Sequence, residues 1–470
     1  MQRDRLQTID HFYRSLAGLA FVLFAQLFQA GVLLGQEVPP PSRLNLQQAV
    51  KIALEKNPQR KAALADRQAA SADVTQAKSL LYPHILFSET ATAGDDPVYV
   101  FGSRLRQERF TQPDFALNVL NTPRPLSNFS SRFGGSWNLF DSLASWHAID
   151  RAQKAKDAAE HGLERADQEI VFHVIGAYYS VLLADKQLSV AQKAVETAEA
   201  ILERSRNRVE SGVAVESDSL SAQVRLASRR QELIRVKNNA AMARAEWVAT
   251  MGLSSRVVYD PGDELSDKTL PVASIEELEK RALERRPDLR EIRSEELAQQ
   301  KSVSIAKASF GPRVNAFADW EADNPSLFGG RGGNNWVAGI EVQVDLFQGG
   351  AKRANLLRAR AQLDKIAAAR ESAADNARLE IRKVYYDVDA TRQQLEVARA
   401  VIAESQESLR INQDRYDAGL LTVADLLAAE DTARGTQTEY WETLCHYYTS
   451  YAALELASGT LNPQSPAVMP

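Results

Sequence analysis

The stretch "AVKIALEKNP" at residues 49–58 returns as "LEKRALERRP" at 278–287. Five residues keep their places: Lys51/Lys280, Ala53/Ala282, Leu54/Leu283, Glu55/Glu284 and Pro58/Pro287. The spacing of 229 holds without a gap from Leu46/Ile275 through Val74/Val303, Ala77/Ala306 and Lys78/Lys307 to Pro83/Pro312. A second block repeats at a spacing of 207. "LFD" (139–141) matches "LFQ" (346–348), and Tyr178/Tyr385, Gly212/Gly419, Asp218/Asp425 and Gly252/Gly459 follow. The two spacings differ by 22 residues, and the difference falls between Pro83 and Leu139. The first copy therefore carries an insertion there. The copies span 44–260 and 273–460, with a linker at 261–272 that includes "PGDELSDKTLP". A duplication on this scale means one structural unit used twice in a chain.

Each copy opens with a helical segment, 44–81 and 273–310, closed by Pro83 and Pro312. Proline cannot continue a helix and disfavours helix in the residue before it, so both mark helix-to-strand junctions. Alternating runs follow. In "FSSRFGGSWNL" (129–139), Phe129, Phe133, Trp137 and Leu139 share one parity, while Ser130, Arg132, Ser136 and Asn138 hold the other. In "WVAGIEVQVDL" (336–346), Trp336, Ala338, Ile340, Val342, Val344 and Leu346 oppose Gly339, Glu341, Gln343 and Asp345. "VNAFADW" (314–320) alternates more loosely, and "HILFSET" (84–90) is weakest. Period-two alternation near ten residues long suits a transmembrane barrel strand, and it equally suits a half-buried soluble sheet.

A long helix comes next. From Ala351 to Ala418 there is neither glycine nor proline, and 144–211 contains only Gly162 and Gly176. A heptad runs through both: Val174, Val181, Leu188, Val195, Leu202 and Val209 match Ile381, Val388, Leu395, Ile402, Leu409 and Tyr416. Sevens sustained this far imply coiled-coil packing. Small residues at Ala177, Ala184, Ala191 and Ala198 allow a close neighbour. Each long helix breaks at a glycine, in "ESGVAVESD" (210–218) and "DAGLLTVAD" (417–425), and a shorter helix returns over about 216–251 and 422–458. The opening and returning helices together match the long one in length. Two half-length helices stacked end to end thus pair with one long partner, with a strand hairpin at one end.

The N-terminus carries Arg3, Arg5 and Arg14 before the apolar run "LAGLAFVLFAQLFQAGVLLG" (16–35). This reads as a secretory signal peptide over 1–36, cut after Ala30 or Gly35, with an uncleaved anchor as the alternative. A proline-rich linker occupies 37–43, and 461–470 is expected to be a flexible tail. The formal charge of −5 gives no basic footprint for nucleic acid. Cys445 is the single cysteine, so no disulfide can form within the chain and no cysteine cluster can hold zinc. After residue 36 no apolar run is long enough for a membrane helix. Strands or a surface helix must make any membrane contact.

Four strands cannot close a barrel alone, and open edges cannot sit in lipid. Three chains would supply twelve strands and make six similar staves around a tube. Here the sequence resembles the TolC-like outer-membrane efflux proteins. The likeness covers nearly the whole chain after residue 36. It rests on the tandem repeat, the Pro83 and Pro312 junctions, the glycine turns, and "RYDAGLLTVADLLAAE" (415–430), close to that family's tip signature.

The resemblance implies a mixed α and β fold. Four transmembrane β-strands per chain would form a shared twelve-stranded trimeric barrel in outer-membrane lipid, continued by a long α-helical coiled-coil periplasmic tunnel. It implies a homotrimer, a periplasmic adaptor (membrane fusion) protein and an inner-membrane pump as partners. No cofactor is expected from the residues, and the glycine tips and acidic positions point to passive conduction through a gated tip. The carried-over gate positions are Asp425, its repeat equivalent Asp218, and Tyr416, beside the tip turns at Gly212 and Gly419. Two departures affect the gate: Ala428 stands where the family has a second carboxylate, and Leu421 where it has a basic residue. For the two aspartates the competing reading is plain helix N-terminal charge. The rival for the whole chain is a soluble periplasmic coiled-coil adaptor.

Other features carry less. "GGRGGNN" (329–335) lacks the lysine of a phosphate loop and reads as a hairpin loop. Cys445 and His446 lack further ligands, and His84, His147, His161 and His173 have no ligand spacing. Arg104, Arg106 and Arg109 sit in the long first loop. They would contact lipopolysaccharide, restrict the pore mouth, or simply be solvated. No catalytic constellation emerges.

Overall fold

The computed structural model describes residues 43–254, 259–327 and 332–468. The signal-peptide reading lies outside them, and so does the proline linker up to residue 42; Arg43 is already strand. Of the glycine-rich loop, 329–331 lie outside them as well, while Gly333, Asn334 and Asn335 are strand rather than loop.

The first repeat runs β1 (Arg43–Leu44), α1 (Leu46–Lys56), α2 (Pro58–Ser79), β2 (His84–Gly94), α3 (Pro97–Arg106), α4 (Leu117–Asn121), β3 (Leu126–Phe140), α5 (Ala144–Glu210) and α6 (Glu216–Thr250). After β4 (Asp260–Pro261), the second runs α7 (Ile275–Arg285), α8 (Pro287–Ala308), β5 (Arg313–Asn324), β6 (Gly333–Gln343), α9 (Ala351–Asp417) and α10 (Val423–Ala457). The opening segment of each copy is two helices, not one. Pro58 and Pro287 break it, because proline lacks the N–H an interior turn needs yet suits the first position of a new helix. Asn57 caps the second helix, accepting from the Gln59 amide at 2.8 Å.

The long helices α5 and α9 have 67 residues each. In the strand-side half the helices lie in the order α2, α5, α8, α9; in the other half α6 and α10 replace α2 and α8. The half-length helices meet end to end. A Cβ on Gly252, after α6, would sit 2.7 Å from Asn57 Cα, and one on Gly459, after α10, 2.8 Å from the Arg286 amide nitrogen. Both glycines also have positive φ, +74° and +72°. Only glycine allows that backbone approach and that conformation together.

The main core lies at this level. Trp247, Tyr178, Tyr447 and Tyr448 are fully buried, and the heptad residues Val174, Val181, Ile381, Val388 and Leu395 join them. The segment between the repeats wraps this girdle. Asp263 accepts from the Tyr178 hydroxyl at 2.8 Å and the Leu46 amide at 2.9 Å, and Pro271 accepts from the Tyr451 hydroxyl at 3.0 Å. Residues 461–468, expected to be a loose tail, instead bury Leu461, Ala467 and Val468 in the same core.

The strands form one antiparallel sheet in the order β2-β3-β5-β6. Register places Phe87, Phe133, Trp320 and Trp336 in one row across all four. Neighbouring rings in the row lie 4.8 Å (Phe87–Phe133) and 5.9 Å (Phe133–Trp320) apart. This face continues through Ile85, Trp137, Ile340 and Val342, all exposed on the single chain. The opposite face carries Ser130, Arg132, Asp319 and Glu321, with Arg132 paired to Asp319 at 2.9 Å. Alternation read from sequence therefore holds. A bulge between Asn138 and Phe140 ends the parity at Leu139, and β6 stops at Gln343 rather than reaching Leu346. The strand with the weakest pattern, β2, is fully formed over 11 residues. Pro83 and Pro312 stand immediately before β2 and β5, as expected; the Pro312 carbonyl accepts from Ser142 Oγ at 2.8 Å.

Candidate gate at the helical tip

Both coils end in the same turn. Gly212 and Gly419 have φ of +71° and +76°. Their amides close back onto Val209 and Tyr416 carbonyls at 2.9 and 3.0 Å. No side chain stands in the way of a Cβ on Gly212, so its role there is the left-handed backbone itself.

The two repeats differ at the start of the returning helix. Thr422 caps α10: its Oγ1 accepts from the Asp425 amide at 3.2 Å and donates to Asp425 Oδ2 at 2.6 Å. Asp425 is exposed but tied into this cap. The equivalent of Thr422 is Val215, which has no hydroxyl, so Asp218 stands in the first turn of α6 with no side-chain partner among the described residues. No hydrogen bond or ion pair joins the two aspartates within the chain.

Tyr416 is buried, and its hydroxyl has no hydrogen-bond partner among the described residues. The Arg208 guanidinium of α5 lies 4.9 Å from its ring, and Arg208 Nη1 donates to the Tyr416 carbonyl at 2.5 Å. One turn back, Arg204 Nη1 meets Asp417 Oδ2 at 3.3 Å. These contacts tie the end of the first coil to the end of the second. Beneath them a small core gathers Ala198, Ile201 and Leu202 from α5, Ala222 and Leu226 from α6, and Val423, Leu426 and Leu427 from α10. Leu421 packs against it, and Ala428 is exposed. Neither departure residue is charged, and Arg204 of α5 supplies the ionic link to Asp417.

Higher up, α6 and α10 are joined by charge. Arg229 reaches Glu430 Oε2 at 3.1 Å and Glu232 Oε2 at 3.0 Å, and it also pairs with Asp431. Arg225 meets Asp431 at 2.7 Å. Arg229 and Glu430 are both buried. Sequence reading singled out Asp425, Asp218 and Tyr416 but missed Arg204, Arg208 and this network. Arg208 has a repeat equivalent, Arg415, which was the one signal available; Arg204 matches Ile411 and left none.

The geometry is a strand hairpin pair with an apolar belt, joined to two long coils that end in linked tips. A profile of the outer membrane efflux protein family matches residues 49–253 and 278–460. The chain belongs to that family. Curated relatives include Protein CyaE of Bordetella pertussis, 25% identical over 90% of this chain and 86% of CyaE. Outer membrane protein TolC of Escherichia coli is 22% identical over 89% of this chain and 83% of its own length. Among solved structures, the outer-membrane channel OprN superimposes with a TM-score of 0.74 at 21% identity, covering 89% of this chain and 91% of OprN. CusC does so at 0.75 and 16% identity, covering 89% and 93%. The chain is thus an outer-membrane efflux or secretion channel with a large periplasmic portion, and the soluble adaptor reading has no support. The family is one of channels rather than enzymes.

Proposed function

We propose that three copies close one twelve-stranded barrel and one helical duct, that the duct conducts passively, and that its periplasmic tip is the gate. A periplasmic adaptor would favour the open tip, and an inner-membrane pump would supply the energy. The observation that carries the gate is the pair of links between the coil ends, Arg208 to Tyr416 and Arg204 to Asp417. Opening must move one coil tip against the other, and these contacts resist that motion. A hydrogen bond with a charged donor contributes about 1.5–3 kcal/mol and a stacked cation about 0.5–1 kcal/mol. That is enough to bias two states and little enough for a bound partner to overcome. Asp425 and Asp218 would then set ion selectivity at the mouth rather than hold it shut, since neither reaches across to another helix.

Single-channel conductance of reconstituted trimers tests this. The pair Arg204→Ala and Arg208→Ala is expected to raise conductance about twofold or more, because the narrowest point of a pore governs its current. Asp425→Ala is expected to lower cation preference with little change in conductance. Equal currents from wild type and the arginine pair would end the reading of these links as the gate.

A further inference from the structure

The 22-residue excess of the first repeat, read from sequence as its long first loop, is a folded unit. Helix α3, a 3-10 turn at Gln112–Phe115 and α4 occupy it. Phe110 packs edge-on against Phe101 at 4.8 Å and Phe115 at 4.9 Å, and Arg104 pairs with Asp114. This unit lies against the polar face of the sheet. Gln107, fully buried, donates to Asn128 Oδ1 at 2.8 Å and to the Ser127 carbonyl at 3.0 Å. Asn128 in turn donates to Asp323, also fully buried, at 2.5 Å. Arg106 meets Glu321 at 3.5 Å, and the Tyr99 hydroxyl donates to the Thr92 carbonyl at 3.0 Å. Register puts Thr92, Asn128, Glu321 and Asp323 on the face opposite the aromatic row, at the strand ends away from the long helices.

In a membrane barrel the polar face is the lumenal one. We infer that the insert over residues 97–121 is a second constriction, seated inside the outer mouth of the barrel and limiting the size of solutes that enter from outside. A twelve-stranded wall, with strands about 4.8 Å apart and tilted near 40°, measures about 25 Å across at the backbone. An α-helix with side chains is about 10–12 Å thick. Three copies of α3 therefore take up most of that cross-section. Val100, Ser103 and Gln107 are the buried side of the helix, and Gln107 bonds it to the wall. Leu105, two residues from both Ser103 and Gln107 and so on the opposite side, is half exposed and faces the opening. Among the described residues the hairpin of the second repeat carries no such unit, so the narrowing comes from three inserts, one per chain. This rests on the trimeric channel proposed above, whose failure would show first as a missing trimer on gels run without boiling.

The test places a reporter deeper in the barrel, Ser136→Cys, on the polar face near the helix-joined strand ends. Cys445 is buried with its thiol pushed up to about 12, so impermeant thiol reagents give no background from it. Intact cells are labelled from outside with a small charged methanethiosulfonate and with a polymer-linked maleimide, each rate normalised to a free thiol. With the insert present, the polymer reagent is expected to lag about tenfold behind the small one. Replacing 97–121 by a short glycine-serine link should bring the two rates within about twofold, and Leu105→Trp should slow the polymer further. A rate ratio unchanged in both variants, with trimers intact, would overturn the constriction. If the shortened chain fails to form trimers, an unchanged ratio in Leu105→Trp alone does so.

Discussion

Glu455 shows how a single side chain can fix a segment. It lies near the end of α10, buried beneath the C-terminal residues, and the Ala467 amide donates to its Oε2 at 3.2 Å. Burial pushes its carboxyl up to about 7, while the Ser465 hydroxyl and the Ala467 amide pull it down. Because the folded value lies above that of an unfolded chain, Glu455 binds its proton more tightly when folded. Its contribution to stability is complete below about pH 4.5 and is lost as pH rises through about 7. The thermal stability of the trimer should therefore fall between about pH 4.5 and 7 and level off above that. Glu455→Gln, which is neutral throughout, should flatten that slope. Identical slopes in wild type and variant would show that Glu455 does not govern the packing of the tail. This tail was not legible beforehand: "LNPQSPAVMP" has no periodicity, and its few apolar residues gain a partner only once α10 is folded beside them. The tip was legible in part. Tyr416 was singled out by its match to the family's tip, but helical spacing alone cannot say which arginine of another helix will reach it.

At the scale of elements, most of the design could be read from sequence because it is periodic. The heptads gave the coils, parity gave the strand faces, and length matching gave the end-to-end stacking. The breaks at Pro58 and Pro287 were visible residues whose effect was underweighted: proline at a first helical position starts a helix as readily as it ends one. The bond between α6 and α10 was hidden, since Arg229 and Glu430 sit in separate repeats and each passes alone for a solvated charge. Once buried, their pairing has a testable energy. Arg229→Ala leaves the Glu430 carboxylate buried with its guanidinium gone, which should cost about 3 kcal/mol or more. Replacing both, Arg229→Met with Glu430→Leu, should recover most of that loss, because Asp431 keeps Arg225 as a partner. Thermal unfolding of the two variants decides it: a double variant no more stable than the single one would mean that the network is held by more than this buried pair.

At the scale of the molecule, the sheet is unfinished. Among the described residues, β2 and β6 each have a bare edge, and nothing covers the face bearing Phe87, Phe133, Trp320 and Trp336. Unpaired backbone groups cost several kcal/mol each in hydrocarbon, so a lone copy cannot enter a bilayer in this form. Pairing β6 of one copy with β2 of the next is antiparallel, as every existing pair in the sheet is, and repetition by threefold symmetry closes the wall. The unknown is register between copies, so the experiment must scan it. With a cysteine at Glu341 on β6 and a second cysteine stepped along β2 from His84 to Thr92, oxidation should give covalent dimers and trimers at one or two neighbouring positions and none elsewhere. The allowed Cα separation of a disulfide, about 4.4–6.8 Å, makes that window narrow and the result specific. Bands confined to monomer at every position would exclude this edge pairing. A single productive position would fix the stagger of the barrel, and with it the height at which the insert of each chain sits inside the mouth.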